Sequence, residues 1–227
     1  MVEVQDLHLK APVFLCIEQS VQGAAQRIPR ATGFLVRIDL EGTTVRVEYL
    51  VTARHCLQMA RSEGATQLWM RANLRDGTSV EIPGDIDVWY ESDNADVAAV
   101  RLARKALPEN LPGGGLDHAG ILLDAFVGPG PSYRFVGIAP DIGAIDFQPR
   151  VGHEIYVPGL FTQHYGKTSN LPVARFGHIA RMPNQIDVQN PDGSVSSVVA
   201  YLAEVQSWGG QSGSPVFALY PVNLARR

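Results

Sequence analysis

Short apolar runs of β type, each closed by turn residues, recur along nearly the whole chain and limit its fold more than any other feature. Residues 13–17 and 33–38 are the first two runs. A Glu41-Gly42 turn leads into residues 45–52, where Val45, Val47, Tyr49 and Val51 recur at every second position, as in a half-buried strand. Residues 68–74 precede an Asp76-Gly77 turn, and 86–90 and 97–102 complete a first cluster. One short helix is expected over residues 55–61. Residues 107–115, rich in proline and glycine, read as a connector. A second cluster follows at 154–157, 173–179, 198–205 and 215–219, with Pro191-Asp192-Gly193 as a turn within it. Residues 116–150 scatter glycine and proline among apolar residues and fit no single element. The expectation is an all-β chain of two strand clusters, 1–115 and 116–227, with a cleft between them as the natural place for a site.

Composition narrows the function classes. A 227-residue chain with 45% hydrophobic and 19% charged residues can build a substantial core. A net charge of −4 argues against a nucleic-acid partner. No apolar run approaches the roughly 18 residues of a membrane span, and the first residues lack the basic and apolar regions of a signal peptide. A soluble, cytoplasmic protein is expected. Cys16 and Cys56 are too few for a disulfide scaffold and read as free, buried thiols.

Three segments carry chemistry. Ser212 sits in Trp208-Gly209-Gly210-Gln211-Ser212-Gly213-Ser214-Pro215, where flanking glycines permit unusual dihedrals and close approach to a ligand. Such a loop can aim the Gly210 and Ser212 amides at one point, as an oxyanion hole does. A serine hydroxyl needs a neighbouring base, and that base needs an orienting carboxylate. His55 closes the β-run Tyr49-Leu50-Val51-Thr52-Ala53-Arg54-His55. Asp96 opens the apolar run Asp96-Val97-Ala98-Ala99-Val100, where burial would demand hydrogen bonds; Asp93 is its nearby rival. His8, His118, His153, His164 and His178 lack such contexts and read as ordinary surface or core residues, with no metal-ligand spacing. No cofactor is called for.

Taken together, these segments resemble the trypsin/chymotrypsin-like serine peptidases. Thr52-Ala53-Arg54-His55-Cys56 is similar to that family's Thr-Ala-x-His-Cys motif, Asp96-Val97-Ala98-Ala99 to its Asp-Ile-Ala-Leu, and Gly210-Gln211-Ser212-Gly213-Ser214-Pro215 to its Gly-Asp-Ser-Gly-Gly-Pro. The Ser-Gly-Ser-Pro form is more like the bacterial glutamyl-endopeptidase branch. The resemblance implies two antiparallel β-barrels with the triad between them. It implies Ser212 as nucleophile, His55 as base, Asp96 as its orienter, and the amides of Gly210 and Ser212 as oxyanion donors. It also implies a protein or peptide substrate, met in part by Gln206 and Ser207 at the base of the pocket.

Three departures refine the expectation. Gln211 stands where digestive members carry the aspartate that captures a new N-terminus, and no Ile-Val-Gly-Gly start is present, so zymogen cleavage is not expected. Cys56 lacks the usual partner near Ala31. Only one clear strand follows Ser212, where the family continues with two more and a helix. The expectation is a shortened chain with an incomplete second barrel, the other reading being a barrel that is closed differently. That leaves open an alternative role, as a peptide-binding or effector module latent until completed.

Overall fold

The computed structural model describes residues 6–39, 46–93, 95–102, 115–118, 120–122, 134–135, 145–146, 149–189 and 193–219. The chain begins with a helical turn α1 (Asp6–Leu9), then strands β1 (Pro12–Val21), β2 (Ala24–Asp39) and β3 (Arg46–Thr52). Helix α2 (Arg54–Ser62) leads to β4 (Gln67–Asn73), β5 (Ser79–Asp85), a 3-10 turn (Ile86–Val88), β6 (Tyr90–Glu91), β7 (Ala98–Leu102) and β8 (Ile121–Leu122). Next come β9 (Arg134–Phe135) and β10 (Ile145–Asp146), which pair with each other. The second half supplies β11 (Glu154–Gly159), β12 (Val173–Gln189), β13 (Val195–Val205) and β14 (Phe217–Ala218).

Apart from the β9–β10 pair, these strands form two curled sheets, as the all-β expectation required. The first runs β5-β4-β1-β2-β3-β7-β6, with β8 alongside β2 in parallel; the second runs β13-β12-β11-β14 and is antiparallel throughout. They are the half-barrels of the chymotrypsin-like fold. The expected turn at Glu41-Gly42, most of the connector 107–115, the turn at Pro191-Asp192 and most of 116–150 lie outside the described residues.

Two local differences from the sequence reading have physical causes. The strand expected at 33–38 begins instead at Ala24. Gln22 and Gly23 have φ of 53° and 81°, the pair of positive values that a tight two-residue hairpin turn needs. Pro29 survives inside this long strand because the register shifts between Leu15 and Cys16, and a bulge spares the missing N–H. The strand expected at 86–90 is replaced by β5, the 3-10 turn and the short β6. The Asp85 carboxylate accepts the Asp87 amide at 2.9 Å and starts that turn. Pro83 in β5 costs little, because β5 is the last strand of its sheet.

One apolar core fills the first sheet, and every residue of it falls between Val13 and Leu116. Helix α2 closes it by burying Cys56, Leu57 and Ala60. Cys16 and Cys56 are both buried and unbridged, and burial pushes the Cys16 thiol up to about 12. The second sheet buries far less. Ile155, Tyr156, Val157 and Ile179 are covered, while Phe176, Val195 and Val199 are more than half exposed.

Polar contacts tie the sheets together. The Asn170 amide donates to Asn73 Oδ1 at 2.6 Å, and Asn73 Nδ2 donates back to the Asn170 carbonyl at 3.1 Å. Asn170 Nδ2 adds a bond to the Arg71 carbonyl at 2.6 Å. His8 of α1 stacks on Phe217 at 4.3 Å and hydrogen-bonds the Tyr156 hydroxyl. Among the described residues, no helix is long and apolar enough to cross a membrane.

Candidate active site

His55 occupies the first turn of α2, directly after β3, so the end of a strand and the start of a helix fix its backbone. Asp96 lies two residues before β7, which pairs with β3 through Thr52↔Ala98. That register brings the two residues side by side. Asp96 Oδ1 accepts the His55 backbone amide at 2.9 Å, and Asp96 Oδ2 lies 2.6 Å from His55 Nδ1. A carboxylate can only accept, so Nδ1 carries a proton, and in the neutral ring Nε2 is the nitrogen with the lone pair.

The electrostatics follow from this pair. The Asp96 hydrogen bond, with the neighbouring Cys56 thiol, lifts His55 from 6.5 to about 10, against the opposing effect of burial. Burial pushes the Asp96 carboxyl up. The bonds from the His55 ring and amide, with Arg54 nearby, outweigh that and hold it below its ordinary value. Arg54 itself is anchored by Nη1 to the Ser92 carbonyl at 2.8 Å.

The glycines of the serine loop have distinct reasons to be glycine. Gly210 has φ of +96°, and a Cβ there would meet Leu160 at 2.8 Å. Gly213 has φ of +83°, and a Cβ would come within 2.2 Å of both the Thr32 carbonyl and Thr52 Oγ1. Gly209 is under no such constraint: its nearest neighbour would be Thr162 Oγ1 at 3.7 Å. Gly213 therefore sits against the strand end that leads into His55.

One residue that sequence reasoning passed over organises this junction. Thr32 of β2 is fully buried. Its amide donates to the Ser212 carbonyl at 2.9 Å, and its hydroxyl donates to the Gly210 carbonyl at 2.8 Å. The same hydroxyl accepts the Leu160 amide at 2.8 Å, and its carbonyl accepts Thr52 Oγ1 at 2.8 Å. Thr32 thus links the serine loop, the second sheet and β3 at one point. The available signal was a hydroxyl residue inside an apolar run.

Ser212 is exposed on this loop. Among the described residues its hydroxyl makes no hydrogen bond to His55, and the amides of Gly210 and Ser212 donate to no other protein group. The structure therefore joins His55 to Asp96 and seats the Ser212 loop beside them. Gln211 is buried, with Oε1 accepting the Trp208 amide at 3.4 Å. Gln206 lines a separate cavity of about 750 Å³ with Phe176, His178 and Glu204, while Ser207 is exposed and lines neither this cavity nor the one beside His55. Among the described residues, no group of three or more histidine, cysteine or acidic side chains could hold a metal ion.

Comparison with the solved structure of Deg5 agrees with the fold. The crystal structure of Deg5 superposes with a TM-score of 0.50 at 15% identity, covering 94% of this chain and 76% of that one. The apo MamO protease domain from Magnetospirillum magneticum gives a TM-score of 0.45 at 12% identity, covering 93% of this chain and 80% of that one. No curated protein sequence matches the chain. The family model for the trypsin-like peptidase domain matches residues 31–220, and by that match, spanning most of its length, the chain belongs to the trypsin-like peptidase family.

Proposed function

We propose that the chain is a serine endopeptidase that hydrolyses peptide bonds through Ser212, His55 and Asp96. The observation that carries this reading is the pair of hydrogen bonds that Asp96 accepts from His55, one from the backbone amide and one from Nδ1. It fixes the tautomer in which Nε2 can take a proton. Ser212 Oγ attacks the scissile carbonyl as its proton passes to His55 Nε2. The oxyanion is met by the Gly210 and Ser212 amides, which have no competing protein acceptor among the described residues. His55 then protonates the leaving amine, and water hydrolyses the acyl-enzyme by the same base. The high basicity of His55 favours the imidazolium formed in each step.

The finer assignments are part of the same proposal. The barrel of His55 and Asp96 is assigned to residues 1–115 and that of Ser212 to 116–227, although Leu116 and β8 pack with the first sheet. Gln211 makes its bond inside its own loop, which supports folding to the active form without N-terminal cleavage. Gln206 and Ser207 are retained as substrate-contacting residues. The Ser212-Gly213-Ser214-Pro215 form supports a bacterial branch resembling glutamyl endopeptidases. Two unbridged thiols support a reducing, cytoplasmic setting.

The test is covalent labelling with a fluorophosphonate probe. Ser212 should label, Ser212→Ala should not, and peptide hydrolysis by Ser212→Ala should fall by about 10⁴–10⁶. A folded protein that never labels overturns the reading. A second reading, a latent module completed by a partner, has one observation in its favour: the missing Ser212–His55 hydrogen bond. It requires labelling to appear only when the partner is added.

A further inference from the structure

Asp96 stands on a segment that its own sheet holds weakly. That segment, from Ser92 to Val97, joins β6 to β7, and its foot is closed by the Ser92 amide, which donates to the Val97 carbonyl at 2.9 Å. β6 is only two residues long and is the last strand of the first sheet, so no described strand pairs with its outer edge. Among the described residues, His55 alone bonds to the Asp96 carboxylate. Both of those bonds therefore depend on where the segment is set.

Helix α2, which carries His55, reaches that edge with two arginines. Arg54 and Arg61 are seven residues apart, two turns along one helix face. Arg61 bonds to Glu91 and to the Ile86 carbonyl, on the strand side of the edge. Arg54 Nη1 donates to the Ser92 carbonyl at 2.8 Å, at the foot of the Asp96 segment. Ser92 is thus held through its amide by Val97 and through its carbonyl by Arg54. By local measures Arg54 is unfavourable. Its Nε is buried without a hydrogen-bond partner, and among the described residues it forms no ion pair. A cation in the first turn of a helix also opposes the helix dipole. Residues that break local rules concentrate at functional sites, and Arg54 lines the cavity of about 550 Å³ that also touches His55, Asp96 and, from β12, Val188.

We propose that Arg54 is a positioning residue: by fastening the Ser92–Val97 segment to the helix that carries His55, it sets the Asp96 carboxylate where both of its bonds to His55 form at once. Its effect on rate rests on the acyl-transfer reading above, whereas its effect on the His55–Asp96 pair does not. The charge of Arg54 and its bond to Ser92 act on His55 in opposite directions. A cation beside an imidazole disfavours the imidazolium, so removing the charge alone raises the His55 pKa. Releasing Asp96 removes the largest cause that lifts His55 to about 10, and lets it fall toward 6.5.

The experiment titrates the His55 ring by NMR in wild type, Arg54→Met, Arg54→Ala, Arg54→Lys and Arg61→Met, in parallel with fluorophosphonate labelling and peptide hydrolysis. The His55 signal is assigned among the six histidines by its loss in His55→Gln, and melting curves by circular dichroism verify that each variant is folded. Expected is a His55 pKa near 10 in wild type, lower by about one pH unit or more in Arg54→Met and Arg54→Ala. If one of these two does not fold, the other decides. Arg54→Lys, whose ammonium can still donate to the Ser92 carbonyl, should recover most of the difference, and Arg61→Met should keep the wild-type value. In Arg54→Met, kcat should fall by about 10–100-fold with KM little changed, as for a small misplacement of a catalytic group. A His55 pKa that stays or rises without Arg54 overturns the proposal, as does an equal fall in Arg61→Met. A wild type that neither labels nor cleaves overturns the acyl-transfer reading, and the titrations still decide whether Arg54 positions Asp96.

Discussion

The two sheets of this molecule hold their parts of the site by different physics. The first has a continuous apolar core between Val13 and Leu116, and His55 and Asp96 rest on elements that the core fixes. The second buries little, leaves Phe176, Val195 and Val199 more than half exposed, and carries the Ser212 loop. What locates that loop is polar: the four bonds through Thr32, with the Asn73–Asn170 exchange farther along the same junction. Apolar packing is non-directional, whereas hydrogen bonds set distance and angle. The elements that carry the base are thus held by burial and the loop of the nucleophile by directed contacts, so the two halves should fail differently when perturbed.

Apart from loss of the nucleophile itself, the largest expected effect comes from Asp96→Asn. If the His55–Asp96 pair is functional rather than structural, hydrolysis should fall by about 10⁴ because the wrong tautomer becomes available. The shape of the pH profile is the sharper reading. His55 must be neutral to accept a proton, so wild-type kcat/KM should rise with pH along a limb ending near 10. In Asp96→Asn that limb should move down toward 6.5. The linked stability has a defined window. The raised His55 contributes fully below 6.5 and loses its contribution as pH climbs toward about 10. The depressed Asp96 contributes above 3.8 and loses it as pH falls through its lower folded value. Denaturant titrations of the two proteins should therefore differ most between those limits. An unchanged limb would detach Asp96 from His55.

Next in size is the contrast between identical substitutions in the two sheets. Leu35 is fully buried in the first core, and Leu202 on β13 is 39% exposed. Leu35→Ala should lower unfolding free energy by about 2–5 kcal/mol, and Leu202→Ala should change it by no more than about 0.5 kcal/mol. Equal losses in urea titrations would mean that the second sheet is packed far more tightly than its exposed apolar residues indicate.

The same contrast governs what could be read from the sequence. Strand periodicity, the helix after His55 and the pairing of a histidine with a carboxylate at the head of an apolar run were all legible, because each is local. Long-range features were not. The sequence reads as a strand only from Gly33, and the extension back to Ala24 shows only in the pairing with β1, with its register shift opposite Pro29. The apolar run at 86–90 looks like a strand until Asp85 is seen capping a 3-10 turn. The approach of Val188 to His55 depends on the length of the β12–β13 hairpin, and Thr32 matters through partners as far away as Gly210 and Ser212. No spacing rule reaches that distance.

Thr32→Val gives the smallest effect and the most direct test of the polar junction. Valine keeps the shape and the backbone bond from position 32 to Ser212, but removes the hydroxyl that serves both Gly210 and Leu160. A buried carbonyl and a buried amide would lose their partner, at a cost of about 1–3 kcal/mol. If the junction only held the sheets together, thermal stability would fall and kcat/KM would follow no further than the folded fraction. Because Gly210 is also the proposed oxyanion donor, kcat in the fully folded variant should fall by about 10–100-fold, with KM much less affected, as expected when a transition-state contact drifts. Thr32→Ser, which keeps the hydroxyl, should recover most of that rate. A Thr32→Val protein with wild-type kcat would show that the serine loop holds its own shape, and that the second sheet needs no polar anchor to present it.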